Sequence, residues 1–192
     1  MKLCEYYKID IINRSLIKHN IDDETREKIM EGAELIKSKS KTEEKAKWCY
    51  HAMKKMDDLL DDETKLAVRI DCACNLGGKH HKVNKDIYKN YKTKIDRINA
   101  YNTIHKNIGT TIKILDNGRY ELTFWNENKT EFKCVCLKGL GLEWSSTWCL
   151  CCGGHVKHHL ETMLGVKLEV KFLSSALNSN GKENCRFELW EV

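Results

Sequence analysis

The stretch TTIKILDNGRYELTFW, residues 110–125, alternates apolar and polar side chains on either side of Asn117-Gly118. Successive side chains on a strand point to opposite faces, so each arm acquires one apolar face, and Asn-Gly between alternating arms is the strongest short-range hairpin signal. Two antiparallel strands are predicted here. Working towards the C-terminus, EFKCVCLK (131–138) and STWCLCC (146–152) read as further strands. Gly153-Gly154 then opens into a helix, HVKHHLETMLG, and VKLEVKFL (166–173) and NCRFELWEV (184–192) close with two more strands.

Working towards the N-terminus the period changes. In 83–109, apolar residues recur at Ile87, Tyr91, Ile95, Ile98 and Tyr101, a helical rhythm with lysines on the other face and Gly109 as its stop. The first 66 residues are helical in pattern. A Ser40-Lys41-Thr42-Glu43 capping box precedes Ala46, Cys49, Met53, Met56 and Leu60, which share one helical face and make Cys49 a core residue. An earlier helix is suggested by Ile29, Ala33 and Ile36, with Asp22, Asp23 and Glu24 near its positive N-terminal end. The fold expected is α+β: a helical region, 1–66, then a cysteine-rich domain, 67–192, whose mostly antiparallel sheet is packed with helices.

The 192 residues contain ten cysteines, and the opening MKLCEYYKIDIINR is too charged for a signal peptide. No apolar run approaches the roughly 18 residues of a membrane span. A cytoplasmic protein without a membrane partner is expected, and in a reducing compartment clustered thiols serve metals or catalysis more often than disulfides. Seven of the ten fall in tight groups: Cys72 and Cys74, Cys134 and Cys136, then Cys149, Cys151 and Cys152. On strands, the two cysteines of each C-x-C pair share a face, so four sulfurs converge if the strands lie side by side. Four thiolates suit zinc or an iron-sulfur cluster, and the spacing does not choose between them. Cys72 and Cys74, ahead of the Gly77-Gly78 turn, complete that site or form another.

His155, near the start of its helix and three residues from Cys152, is a candidate added ligand or proton donor. His158 is expected in solvent, and His159 at the border of the buried face set by Val156, Leu160, Met163 and Leu164. The net charge of +5 is local: residues 79–106 hold eight basic and two acidic side chains. A solvated lysine face explains this better than nucleic-acid binding, since no arginine cluster supports base recognition.

The segment from WCLCCGGHVKHHLETMLGVKLEVKFL to NSNGKENCRFEL resembles the end of the 4-vinyl reductase domain family, through its small-residue helix start, its Leu-Gly helix end, a strand, and Gly181, Cys185 and Phe187 in a Gly-x-x-x-Cys-x-Phe element. The C-x-C pairs look like those of cysteine-rich bacterial proteins with this ending. The resemblance implies a sensor-type fold shared with nitric-oxide-binding and vesicle-tethering relatives, a small-molecule ligand and a homodimer. The zinc site of its aromatic-sensing members does not transfer whole, because Ser174 and Leu177 occupy the positions of two of the ligands and only Cys185 matches. The function expected is a metal- or iron-sulfur-binding, ligand-sensing domain using the C-x-C thiolates. The alternative is a cysteine- or cluster-dependent enzyme, redox or hydrolytic, with His155 as proton donor.

Overall fold

The hairpin forms where the alternation and the Asn-Gly turn place it. In a computed structural model that describes residues 5–74, 76–105, 110–124, 131, 132, 134 and 143–192, strand β1 (Thr111–Ile114) pairs antiparallel with β2 (Tyr120–Thr123), Ile112 opposite Leu122. Gly118 takes a φ of +77° in the turn, a conformation in which a Cβ would be strained. Strands β3 (Leu168–Ser174) and β4 (Arg186–Glu191) complete an all-antiparallel sheet of order β1-β2-β4-β3. The class is α+β, as expected.

The chain divides into two compact units that are not consecutive in sequence: residues 1–73 with 135–151, and residues 74–134 with 152–192. The first is built from α1 (Tyr7–Lys18), α2 (Asp23–Met30), α3 (Thr42–Leu59) and α4 (Asp62–Asp71). Asp22 and Asp61 start α2 and α4 by accepting from the backbone N–H of Thr25 and Thr64, each at 2.9 Å. The apolar stripes of α1 and α3 bury Ile9, Ile12, Leu16, Met53 and Met56 completely, and Cys49 is buried with them. Full burial stabilises such an aliphatic side chain by about 1.5–3 kcal/mol. Two local readings are corrected. The helix over Ile29, Ala33 and Ile36 stops at Met30, because Gly32 turns left-handed at φ +75° and leaves only a short turn, Ala33–Leu35. The capping box of α3 is one residue late, since Glu44, not Glu43, reaches back to accept from the backbone N–H of Lys41 at 3.0 Å.

In the second unit the single helix expected across 83–109 is two: α5 (Gly78–Asn90) and α6 (Lys94–His105). Tyr91 is extended, with φ −120° and ψ 133°. Thr93 then starts α6, its hydroxyl accepting from the Asp96 N–H at 3.1 Å and donating to the Asp96 carboxylate at 2.6 Å. Tyr91 and Ile95 consequently end up exposed. Sheet residues Ile112, Leu122, Val170, Phe187 and Leu189 are buried, as are Val156, Leu160 and Met163 of α7 (Leu150–Leu164). Gly153 of α7 faces the sheet, where an added Cβ would stand 3.6 Å from Phe187 and Val170, in ordinary van der Waals contact. The edge of β1 is closed by α6: the Asn102 side chain donates to the Ile112 carbonyl at 2.9 Å and accepts from the Ile112 N–H at 2.8 Å. A side-chain amide thus stands in for a neighbouring strand.

Candidate functional site

The seven grouped cysteines divide between the units. Cys72, Cys149 and Cys151 belong to the first, Cys74, Cys134 and Cys152 to the second, and Cys136 lies outside the described residues. The strand expected over STWCLCC is a helix instead. Ser145 accepts from the Thr147 N–H through its hydroxyl at 3.1 Å and starts a short turn, Ser146–Cys149, that runs straight into α7. At about 100° per residue, positions two apart on a helix face nearly opposite ways, so the shared-face argument for Cys149 and Cys151 does not hold. EFKCVCLK lies largely outside the described residues.

In the first unit these thiols are buried. Cys72 Sγ donates to the Val68 carbonyl at 3.3 Å, and Cys151 Sγ to the Trp148 carbonyl at 3.3 Å. Burial pushes the Cys72 thiol above its ordinary pKa, and the nearby Arg69 guanidinium opposes this. Arg69, 2% exposed, donates to the Thr147 and Trp148 carbonyls at 3.1 Å each and stacks over the Trp148 ring. This polar core is made of donors resting on backbone carbonyls.

The second unit is different in kind. Cys74, Cys134, Cys152 and Cys185 are only half-buried. Burial raises Cys185 to about pKa 11, the Ala176 N–H that its sulfur accepts at 3.4 Å works against this, and the charges of Cys152 and Cys134 push the same way as burial. Three thiols therefore share one electrostatic neighbourhood. His155 adjoins it: burial lowers its pKa, while the Cys74 carbonyl and the charge of Cys152 oppose the fall. A carbonyl can only accept, so the 2.8 Å bond between His155 Nδ1 and the Cys74 oxygen puts the proton on Nδ1 and leaves Nε2 with a lone pair.

Six of the eight histidines gather on three helices of this unit, which the sequence reading missed beyond His155. His80 and His81 come from α5, His105 from α6, and His155, His158 and His159 from α7. His80 stacks on His105 with ring centres 5.7 Å apart, His155 meets His159 edge-on at 4.3 Å, and His81 stacks on His158 at 5.2 Å. His158 is half-buried, with the Leu76 carbonyl 2.8 Å from its Nε2. His159 is 4% exposed, inside the border expected for it, and its Nδ1 meets the Asn84 amide at 3.0 Å. The signal lay in the paired His80-His81 and His158-His159, hidden by the lysines around the first pair.

The donor chemistry of the second unit fits zinc or iron, which take thiolate sulfur and imidazole nitrogen. An imidazole held by a carbonyl through its other nitrogen is the usual companion of a metal ligand. Among the described residues, however, no three His, Cys, Asp or Glu side chains are grouped so as to hold an ion. Lys79, Lys82 and Lys85 of the basic segment are exposed on α5. No helix among the described residues is long and apolar enough to cross a membrane. A comparison with curated proteins finds no match. Residues 5–190 match the model of a family of unknown function, DUF6144, and with nearly its whole length covered the chain belongs to that family.

Proposed function

We propose that the protein is a metal-binding sensory domain whose working groups are Cys134, Cys152 and Cys185 with His155, all in the second unit. The observation that carries this reading is a half-buried Cys185 whose thiol feels the charges of the half-buried Cys134 and Cys152, beside an imidazole whose Nδ1–H is committed to the Cys74 carbonyl. Zinc or an iron-sulfur cluster would be held by these thiols, and it would supply a centre that fixes the loop ends and responds to thiol-reactive or redox signals. The donors are neighbours without being preassembled, so binding is coupled to drawing them together and releases thiol protons. Cys72, Cys149 and Cys151 serve packing in this reading.

The test is metal content after purification without oxygen. Brown protein with broad visible absorption indicates a cluster, and colourless protein with zinc indicates a thiolate site. Cys152→Ser and Cys185→Ser lose most of the metal, whereas Cys72→Ala and Cys151→Ala keep it. Full metal in the first two variants, or metal-free wild type with freely titrating thiols, overturns the proposal.

The fixed tautomer of His155 favours one second reading. Its Nε2 can take the proton of the Cys152 thiol, and the thiolate then attacks an electrophile, as in cysteine-dependent enzymes. If so, alkylation of Cys152 by iodoacetamide slows in His155→Gln in metal-free protein. An unchanged rate removes this reading.

A further inference from the structure

We propose that His81 and His158 form a second, separate binding site, for a single borderline divalent transition-metal ion such as Zn2+, Ni2+ or Cu2+, which clips α5 to α7. His158 Nε2 and His81 Nδ1 are 3.2 Å apart, their rings stack at 19°, and the Leu76 carbonyl oxygen is 2.8 Å from the same Nε2. Hydrogen bonding explains the arrangement with one proton: the Nε2–H of His158 is shared between the carbonyl and the lone pair of His81 Nδ1.

A metal ion can replace that proton, seated off the line between the two nitrogens. Two nitrogens 3.2 Å apart, each about 2.0–2.1 Å from zinc, subtend about 100–106° at the ion, close to the tetrahedral angle. The Leu76 oxygen, 2.8 Å from the same Nε2, offers a third donor, and the half-buried position of both rings leaves room for water. The proton on His158 Nε2 moves to Nδ1 through solvent, so neither ring changes charge. Imidazole suits these ions, and no thiol is required. His81 is ready for the role at neutral pH, because burial, Lys85 and His158 all disfavour its protonation. The groups around it are Lys85 on its own helix and His158 and His159 on α7. With only two protein side chains, the site is compatible with the lack of any three-residue ligand group among the described residues. It does not depend on the thiol reading, since it uses neither Cys134, Cys152 nor Cys185.

The experiment is a calorimetric titration of Zn2+ alone into the tag-free full chain at pH 7.5, with circular dichroism to confirm folding. One zinc equivalent should disappear in both His81→Gln and His158→Gln and survive in Cys152→Ser and in the neighbouring His80→Gln. Binding of that equivalent should weaken by about tenfold or more at pH 5.5, where protons compete for imidazole. If folded His81→Gln binds as much zinc as wild type, the pair is a hydrogen bond only and the proposal is overturned. Failure of the thiol reading would show separately, as no loss of zinc in Cys152→Ser.

Discussion

The two units bury polar groups in opposite ways. In the first, the interior groups include a guanidinium, a hydroxyl and a thiol that donate to backbone carbonyls: Arg69 to Thr147 and Trp148, Ser15 to Val68, Cys72 to Val68. None of these has to change protonation near neutral pH. In the second, His159 keeps a bare Nδ1 for the Asn84 amide, His155 commits its Nδ1–H to the Cys74 carbonyl, and the half-buried Cys185 thiol feels the charges of Cys152 and Cys134. The difference is that the first unit rests on donors whose protonation is fixed, while the second holds imidazoles and thiols, the groups on which the proposed sensing role draws.

The strongest way to break the comparison is to remove the fixed donor. Arg69→Met leaves the Thr147 and Trp148 carbonyls without their buried donor, and urea unfolding followed through tryptophan emission should show a loss of about 3 kcal/mol. A loss below about 1 kcal/mol would mean that Arg69 is not the anchor of the first unit.

Asn102→Ala is the milder counterpart in the second unit. It frees both backbone groups of Ile112 at the sheet edge and should cost about 1–2 kcal/mol, with raised aggregation on light scattering. Unchanged solubility and stability would show the edge to be guarded by something else.

The gentlest test uses acid. His105 and His155 are held below the ordinary 6.5, by burial first, and a base with a lowered folded pKa stabilises the fold above its unfolded value and loses that contribution as pH falls through the folded one. Protection of α6 and α7 amides should therefore decline as pH falls below the ordinary 6.5. In the first unit burial works against Asp71, yet Lys18 and His19 win and hold its carboxyl below 3.8, so its contribution persists above that value and is lost only below it. Hydrogen exchange, corrected for intrinsic rates, decides: if α1–α4 open first on acidification, the contrast between the units is wrong.

Much of the fold was legible because its signals are local. Alternation about Asn117-Gly118, the runs at 166–173 and 184–192, and the apolar stripe of α7 each determine an element within a few residues. What escaped was either a single capping residue or a meeting of distant segments. Thr93 splits one periodic stretch into two helices, and Ser145 turns a strand-like run into a helix start, each through one hydroxyl. The imidazole cluster joins residues 77 positions apart in the case of His81 and His158, a pairing no spacing rule contains. Cys134, Cys152 and Cys185 were visible as cysteines, but their grouping apart from Cys72, Cys149 and Cys151 follows from the chain leaving the second unit at 134 and returning at 152.

The amide of Asn102 also has a meaning in time. A ribosome makes α6 before β1, and only ten residues separate Asn102 from Ile112, so the guard of this edge is already in hand when the strand appears. The opposite side of the hairpin is closed by β4. Leu122 of β2 must wait for Phe187, 65 residues further along, before its own neighbour strand exists. During synthesis the first side of the hairpin is therefore closed by a local contact, and the second waits for the chain to be translated from β2 to β4.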